Sequence, residues 1–480
     1  MPPPAGRRAI GALVTAVAAL FLVHAPAAAD AAVPLTEIGA DPYAGAAGQH
    51  GTQAGPDTYQ WGTTIVAAQQ SGRFPDGGAS GIAVATSGDN GATWRRSTLP
   101  GITTAGGGPY QRVSDPSVAY DARHGVWLVA SLAIDDGVGA AVLVSRSADG
   151  GRTWGAPVAA AGGDVGGSRD LDKSWVVCDN TPGSPYHGRC HLIFDDHADG
   201  NAISVARSSD GGLTWAVART PGTGLGGQPV VRPDGAVVAP YLGDDGRIRA
   251  LRSRDGGDTW SDAPITTVQR HTVAGGLRAL PLPSAETDAA GAVYVAWHDC
   301  RFQFSCAAND IVLATSADGV AWDHVVRVTS DGGDHFVPGL GVDRSSSGGS
   351  AQLALTYYRY PDAACTAATC RLTVAYTSSA NGGRSWSAPV ELHGPMQVGW
   401  LAASTQGRTA GDYISTSVVP GGSAFPAFAV AAAPAGGLFD VRTYTVAGGL
   451  PVTGGGLALM SIEAPVATGE PASALPGTAR

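Results

Sequence analysis

The stretch Ser147-Ala-Asp-Gly-Gly-Arg-Thr-Trp154 is one of several copies of the pattern Ser-x-Asp-x-Gly-x-Thr-Trp in this chain. Further full copies occupy residues 87–94, 208–215 and 253–260, and two variants occupy residues 316–322 and 379–386. Successive copies start 60, 61, 45, 63 and 63 residues apart. This spacing is too long for an ankyrin or TPR repeat and suits one four-stranded blade of a β-propeller.

Each copy is predicted to form the turn of a β-hairpin. Its Asp side chain accepts hydrogen bonds from nearby backbone N–H groups, its Gly residues adopt positive φ angles without strain, and its Trp anchors the hairpin in apolar packing. Because turn formation accounts for every position of the pattern, a metal-ligand role for these aspartates is the less favoured interpretation.

A second recurring pattern precedes each copy. Residues 116–121, 125–132, 140–147 and 154–160 are predicted to form four consecutive strands, which together make one blade. Similar units begin near Pro56, Asp172, Gln228, Leu280 and Phe336, and a unit without the eight-residue pattern begins near Asp412. We therefore predict an all-β fold, a β-propeller of four-stranded blades. Seven blades are favoured and six are the alternative; in the seven-bladed case residues 33–38 would supply the missing last strand.

Composition agrees with an all-β chain. Of the 480 residues, 69 are Gly and 32 are Pro, only 15% are charged and 44% are hydrophobic. Such a chain can bury a large core, and Gly at this density is costly inside helices. The formal net charge of -10 gives no basic surface for nucleic acid, so a nucleic-acid partner is not expected.

The N-terminus predicts export. Arg7 and Arg8 precede an apolar run at residues 9–23, and Ala27 to Ala29 offer a cleavage site for a signal peptide at residues 1–29. The arginine pair leaves both the general secretory and the twin-arginine routes open. No later segment is apolar for long enough to span a membrane, so we expect a secreted, extracellular protein and a monomer.

The remaining chain is predicted to divide into three segments: an N-terminal segment at residues 30–50 that closes the ring in the seven-bladed case, the propeller at residues 51–446, and a flexible Ala/Gly/Pro-rich tail at residues 447–480. An oxidising destination also suits six cysteines that lie in three close sequence pairs. The predicted disulfides are Cys178–Cys190, Cys300–Cys306 and Cys365–Cys370.

The eight-residue pattern resembles the Asp-box, or BNR repeat, of the sialidase superfamily, and the resemblance covers residues 50–446. Residues 297–301, 309–312 and 411–413 are also similar to stretches of secreted bacterial proteins regarded as exo-sialidases. The resemblance implies a sialidase-like propeller that acts on glycans or glycoconjugates, and an exo-α-sialidase type of glycoside hydrolase as its sharpest form. The alternative is a propeller that binds glycans or proteins without catalysis.

The resemblance also implies site residues. Sialidases hold the substrate carboxylate with arginines, attack with a Tyr that a Glu assists, and use an Asp as acid and base. Tyr413 resembles the nucleophile, Glu286 the assisting carboxylate and Asp76 the acid/base. Arg73, Arg301 and Arg359 resemble the carboxylate-binding arginines. The Arg-Ile-Pro element of sialidases has no counterpart at residues 52–56.

Acidic residues are predicted to gather where the first strands of the blades begin and the second strands end. These positions carry Asp115, Asp135, Asp136, Asp172, Asp195, Asp196, Asp244, Asp245, Asp299 and Asp412, together with His335. Such a rim would accept hydrogen bonds from neutral sugar hydroxyls or bind calcium through oxygen ligands. No cofactor is required, and calcium is the one cation we consider. Lys173, the single lysine of the chain, is expected to form an ion pair at this rim.

Overall fold

The computed structural model describes residues 1–2, 32–43, 48–162 and 169–454. The regular structure of these residues is β-strand, which confirms the predicted all-β class. Residue contacts divide the chain into two units, with the boundary after Ala32. All the strands belong to the second unit, which begins at Val33. The predicted signal peptide beyond its first two residues, and the predicted tail beyond Gly454, lie outside the described residues.

Most strands follow one another as antiparallel neighbours in groups of four. The first three groups are β2–β5 (Gln49–Trp61, Thr64–Arg73, Ala79–Ser87, Arg95–Thr98), β6–β9 (Arg112–Asp121, Val126–Asp135, Val138–Ser147, Val158–Gly162) and β10–β13 (Leu171–Cys178, Cys190–Asp196, Ala202–Ser208, Ala216–Leu225). The next three are β14–β17 (Val230–Val231, Val237–Gly243, Arg247–Ser253, Ser261–Thr267), β18–β21 (Ser284–Thr287, Val293–Asp299, Asp310–Ser316, Val326–Arg327) and β22–β25 (Asp334–Val342, Leu353–Tyr360, Arg371–Ser379, Val390–Gln397).

The last group joins the two ends of the described chain. It contains β28 (Ser415–Val419), β29 (Ser423–Ala435) and β30 (Leu438–Val446), and β1 (Leu35–Glu37) pairs with β30 so that Leu35 lies opposite Val446. A further strand, β31 (Leu450–Pro451), pairs with β29, and β26 (Ala402–Ser404) forms a separate hairpin with β27 (Gly407–Thr409). The N-terminal segment therefore supplies the fourth strand of this group.

The first strands of the groups contact one another in chain order. Contacts run from β2 to β6, then to β10, β14, β18, β22 and β28, and β28 in turn contacts β2. Two junctions also carry backbone pairing, β4 with β6 and β13 with β15, so that two pairs of groups merge into eight-stranded sheets. Apolar side chains between neighbouring groups form the core, as where Leu128 and Val142 of the second group cluster with Leu192 and Phe194 of the third.

The short helical segments of the described residues are 3₁₀ turns. They occupy Thr104–Gly106, His197–Asp199, Ala274–Gly276, Phe304–Cys306, Gly348–Ser350 and Val398–Trp400. In the described part of the chain, none of the helices has the length and apolar character that crossing a membrane would require.

The eight-residue repeats form the predicted turns. In the first repeat, Asp89 accepts hydrogen bonds from the backbone N–H of Thr93 at 2.9 Å and from its hydroxyl at 2.6 Å. Trp94 donates its indole N–H to the Gly91 carbonyl at 3.1 Å. The bonds from Thr93 lower the pKa of Asp89 to about 2. The Asp89 carboxylate thus forms the hydrogen bonds of its own turn, as the pattern predicted.

All three predicted disulfides are confirmed. Cys178 of β10 lies opposite Cys190 of β11 and bonds to it, and the other two bonds close short loops at Cys300–Cys306 and Cys365–Cys370. In the part of the chain that the structure describes, no cysteine is left free.

Candidate functional site

The three predicted arginines lie in different surroundings. Arg301 pairs with Asp299, two residues before it, at 2.8 Å and also donates to the carbonyl of Thr267 at 2.5 Å. Arg359 forms an ion pair with Asp331. Arg73 is buried apart from Arg301 and Arg359. One of its Nη atoms donates a hydrogen bond to the side-chain oxygen of Gln70. The structure therefore does not bring these guanidinium groups to one point.

Asp76 lies at the protein surface. Its carboxylate accepts a hydrogen bond from Arg112 at 2.6 Å, and more than half of its side chain is exposed. This bond lowers the pKa of Asp76, so the group is ionised near neutral pH. Arg112 also stacks on the ring of Phe74 at 4.4 Å, which fixes the ion pair on this loop.

Tyr413 is buried and hydrogen bonded to the backbone. Its hydroxyl donates to the carbonyl of Pro116 at 2.9 Å. Burial raises its pKa well above the usual value, and the charges of Asp115, Asp57 and Asp412 add to that rise. The phenol is therefore protonated near neutral pH, and none of the described carboxylates accepts its proton in a hydrogen bond.

Around Tyr413 lies a buried group of charges that we call the charge cluster, made up of Arg73, Asp115, Asp172, Lys173, Arg278 and Asp412. Lys173 contacts both Asp412 and, at 3.6 Å, Asp115, which confirms the expected ion pair. Arg278 donates to Asp412 at 2.6 Å. Burial opposes ionisation of Asp412, but Arg278 and Lys173 outweigh it and lower its pKa to about 2. Burial raises the pKa of Asp115 in spite of Lys173.

The backbone of the charge cluster is strained. Asp115 and Lys173 adopt positive φ angles of 46° and 50°, which residues other than Gly rarely take. Each lies where its strand shifts register against the next strand, and Val337 of β22 repeats the same feature at a φ of 52°. These bulges turn the Asp115 and Lys173 side chains toward each other, and such strain is found mainly at functional sites.

The charge cluster leaves little room for a ligand. The cavity that these six residues line measures only about 30 Å³. Within the described residues, Nε of Arg73, Nε of Arg278 and Oδ1 of Asp412 are buried without a hydrogen-bond partner. The cluster therefore retains hydrogen-bonding capacity for solvent or a small polar group, although a whole sugar ring is too large for it.

A larger cavity lies at the other ends of the first strands, and we call it the first-strand cavity. Its volume is about 320 Å³, within the range of small-ligand sites. Aromatic and polar side chains line it, among them Asp57, Tyr59, Trp61, Trp175, Asn180, Gln228, Glu286 and Arg344. Trp61 is 36% exposed, so the cavity has an aromatic ring accessible to solvent.

Glu286, the predicted assisting carboxylate, lies in this cavity and pairs with Arg344. One Nη atom of Arg344 donates to both carboxylate oxygens of Glu286, at 3.2 and 3.0 Å. The guanidinium carbon also lies 4.3 Å from the centre of the Tyr59 ring. Burial raises the pKa of Glu286, and Arg344 opposes that rise. Among the described contacts, Glu286 has no hydrogen bond to Tyr413.

Asp57 is a second carboxyl group in the same cavity. It is almost completely buried and accepts a hydrogen bond from the Val118 N–H at 2.7 Å. Burial raises its pKa to about 7, although the Val118 bond favours the charged form, and the charge of Glu286 adds to the rise. Near neutral pH this cavity therefore combines an ion-paired carboxylate with a carboxyl group that is partly protonated.

Trp175 separates the cavity from the charge cluster. Its side chain lines both the first-strand cavity and a small cavity of about 20 Å³ that also contains Lys173 and Tyr413. The Trp175 and Tyr413 rings meet edge to face, with centroids 5.0 Å apart. Trp175 therefore contacts Tyr413 and also lines the cavity that contains Glu286.

One set of side chains has the composition of a metal site. Ligand atoms of Asp172, Asp195 and His197 all lie within 4.8 Å of one another. His197, however, contacts Asp172 through Nε2 at 3.0 Å and the Asn201 side-chain oxygen through Nδ1 at 2.7 Å. Although burial opposes its charge, these contacts raise its pKa to about 9. The described hydrogen bonds of His197 are thus to Asp172 and Asn201, and calcium binding stays a prediction.

Several residues of the cavity were not anticipated from the sequence. Asp57, Tyr59 and Trp61 alternate along β2, so their side chains share one face of the strand. That spacing of two, directly after Gly55-Pro56, is a signal that could have identified them. Arg344 and Arg278 lie in loops, and no local pattern distinguishes them from the other arginines.

Comparison with known proteins gives relatives among solved structures alone. No family model and no curated protein matches the chain. A Hadza microbial sialidase is similar at a TM-score of 0.47 and 16% identity, over 64% of this chain and 64% of the sialidase. The chain thus spans slightly less than two thirds of that protein.

Two further structures align over nearly their whole length. A protein of unknown function from Dyadobacter fermentans matches at a TM-score of 0.46 and 16% identity, over 72% of this chain and 96% of its own. The intramolecular trans-sialidase from Ruminococcus gnavus matches at a TM-score of 0.45 and 13% identity, over 69% of this chain and 94% of its own. Similarities of this size carry no assignment of activity to the present site residues.

Proposed function

We propose that this protein is a secreted, sialidase-like β-propeller that binds glycans in the first-strand cavity. The observation that carries the proposal is the lining of that cavity, which combines the partly exposed Trp61 with Tyr59, Gln228 and the guanidinium of Arg344. Sugar rings stack on aromatic faces through their C–H groups, and their hydroxyls need fixed polar partners. Three disulfides support an extracellular location.

We further propose that the seven strand groups are blades of one closed ring. The closed sequence of contacts between the first strands, from β2 through β28 and back to β2, supports seven rather than six blades. The pairing of β1 with β30 ties the N-terminal segment to the last blade, a common way to close a propeller. In this arrangement the first-strand cavity lies on the propeller axis.

Hydrolysis of sialosides is the second candidate function. Tyr413 and Arg73, two of the residues implied by the family resemblance, lie together at the charge cluster, and Glu286 lies beyond Trp175. A Tyr nucleophile needs a carboxylate to take its proton, and the hydroxyl of Tyr413 instead donates to Pro116. The contacts therefore favour binding over this reaction.

Two assays with the full-length secreted protein separate these functions. On a glycan array, we expect the protein to retain at least one glycan and the Trp61→Ala variant to lose it. In solution, release of a fluorogenic leaving group from sialosides and neutral glycosides measures hydrolysis. Turnover that disappears in Tyr413→Phe would establish the second function, whereas an array without any retained glycan would refute the first.

A further inference from the structure

We infer that the first-strand cavity accepts an uncharged sugar unit and rejects sialic acid and other acidic sugars. This inference rests on the proposed glycan binding and adds the class of glycan. Acidic side chains predominate around the cavity, and Arg344, the basic side chain of its described lining, is already paired with Glu286.

The lining of the cavity has an excess of acidic groups. Asp57, Glu286 and Asp288 contribute carboxyls, and Arg344 is the single basic side chain among the described lining residues. Asp288 accepts hydrogen bonds from the backbone N–H groups of Ala290, Ala292 and Gly348 and has no basic side chain among its described hydrogen-bond partners. A ligand carboxylate would therefore enter a region of like charge, which raises its free energy of binding.

Arg344 offers such a carboxylate no free positive charge, because its guanidinium is already paired with Glu286. It holds both oxygens of Glu286 and packs against the Tyr59 ring, and its side chain remains 34% exposed while that of Glu286 is 15% exposed. To bind an acidic ligand through both Nη groups, Arg344 would have to leave Glu286 as an unpaired, largely buried carboxylate. Breaking one side of such a pair is strongly unfavourable.

The same pair suits a neutral sugar. Glu286 fixes one Nη atom of Arg344, so that the remaining guanidinium N–H groups are oriented donors for sugar hydroxyls. Trp61 supplies an exposed ring for stacking, and Gln228, whose Nε2 donates to Ala285 at 3.2 Å, keeps its side-chain oxygen for a hydroxyl donor. The Arg344–Glu286 pair thus orients a ligand without offering it an unpaired charge.

The buried carboxyl group of Asp57 adds to the preference for a neutral sugar. Because its pKa is about 7, Asp57 is partly protonated near neutral pH, and Glu286 is one of the charges that keep it so. An additional negative ligand charge would raise this pKa further, so binding of an acidic sugar would require Asp57 to take up a proton. A neutral sugar requires no such proton uptake.

The test is an array that carries the same oligosaccharides with and without a terminal sialic acid, for example N-acetyllactosamine and its 3'-sialylated form. We expect the protein to retain the neutral form about tenfold better or more. Glu286→Gln removes one negative charge at nearly constant shape and releases Arg344, so it should raise retention of the sialylated form about tenfold. Glu391→Gln, at an exposed position of β25, is the matched control and should change neither.

The outcomes are distinct. Equal or better retention of the sialylated form by the unmodified protein would overturn this inference while leaving glycan binding intact. Retention of neither form would overturn the proposed glycan binding, and this inference with it. If Glu286→Gln failed to fold, as judged by circular dichroism, Arg344→Met would serve instead, and it should still reject the sialylated form. A gain of sialoside binding in Arg344→Met would contradict the assigned role of the charges.

Discussion

The indole ring of Trp175 meets the phenol ring of Tyr413 edge to face, with centroids 5.0 Å apart and an angle of 71° between the planes. Trp175 lines the first-strand cavity and also a small cavity that Lys173 and Tyr413 line. The two regions differ in size and lining, since the first-strand cavity is about 320 Å³ with aromatic side chains and the charge cluster lines only about 30 Å³. We therefore assign ligand binding to the cavity and a structural role to the cluster.

Removal of the exposed ring of the cavity should weaken glycan binding. We expect Trp61→Ala to weaken the binding of a neutral glycan by about 1–3 kcal/mol, on the order of tenfold to a hundredfold, because it deletes the stacking surface. Isothermal titration calorimetry measures the loss. Phe304→Ala removes an even more exposed aromatic ring outside the cavity and should leave the affinity unchanged; an equal loss in both variants would point to a different binding surface.

Loss of the single lysine should destabilise the fold. Lys173→Met leaves Asp115 and Asp412 without their shared cation in a buried site, and we expect the free energy of unfolding to fall by about 3–5 kcal/mol. Urea denaturation followed by tryptophan fluorescence measures this change. Arg152→Met, at an exposed position in a repeat turn, is the control. A cost below about 1 kcal/mol for Lys173→Met would show that the cluster is not a structural element.

The eight-residue repeats and the cysteine spacing predicted much of this architecture because both are local signals. Asp89 and Thr93 are four residues apart, and each disulfide closes a loop of at most twelve residues. The contact between Lys173 and Asp412 spans 239 residues, and that between Arg344 and Glu286 spans 58. Only the order of the groups in space brings such pairs together, so the sequence indicated that Lys173 would be paired but did not identify its partners.

The predicted substrate arginines illustrate the same limit. The family resemblance predicts that Arg301 binds a substrate carboxylate, yet its carboxylate partner, Asp299, lies two residues away in the same segment. A local ion pair competes with any distant ligand, and this competition could have been anticipated from the Asp-Cys-Arg order. Arg278, which does reach the charge cluster, lies in a loop that no repeat marks.

Asp57 should make stability depend on pH in an unusual direction. Its pKa is about 7 in the native state against 3.8 as its ordinary value, so between these pH values the native protein holds a proton that the unfolded chain has lost. This group therefore contributes stability at low pH that disappears as the pH rises through 7. The change should be on the order of a few kcal/mol. Asp57→Asn should remove this component of the pH profile from urea denaturation, and exposed Asp76→Asn should not.

Two buried histidines should change the stability with pH in the direction opposite to that of Asp57. Burial lowers the pKa of His191 and of His298 to about 3, from an ordinary value of 6.5. Between these pH values the unfolded chain binds protons that the native protein excludes, so stability should fall as the pH decreases from 6.5 to 3. His191→Asn should flatten this fall relative to the exposed-site variant His324→Asn. Identical profiles for the two variants would show that His191 is protonated in the folded protein.

The central claim is that a glycan binds on the cavity side of Trp175. The most direct measurement is a crystal structure of the protein soaked with the neutral oligosaccharide that the array selects. We predict electron density for a sugar ring against Trp61, with a hydroxyl within hydrogen-bonding distance of Arg344 and the Arg344–Glu286 pair intact. A sugar bound on the other side, against Arg73 and Asp412, or one that has drawn Arg344 away from Glu286, would contradict this account.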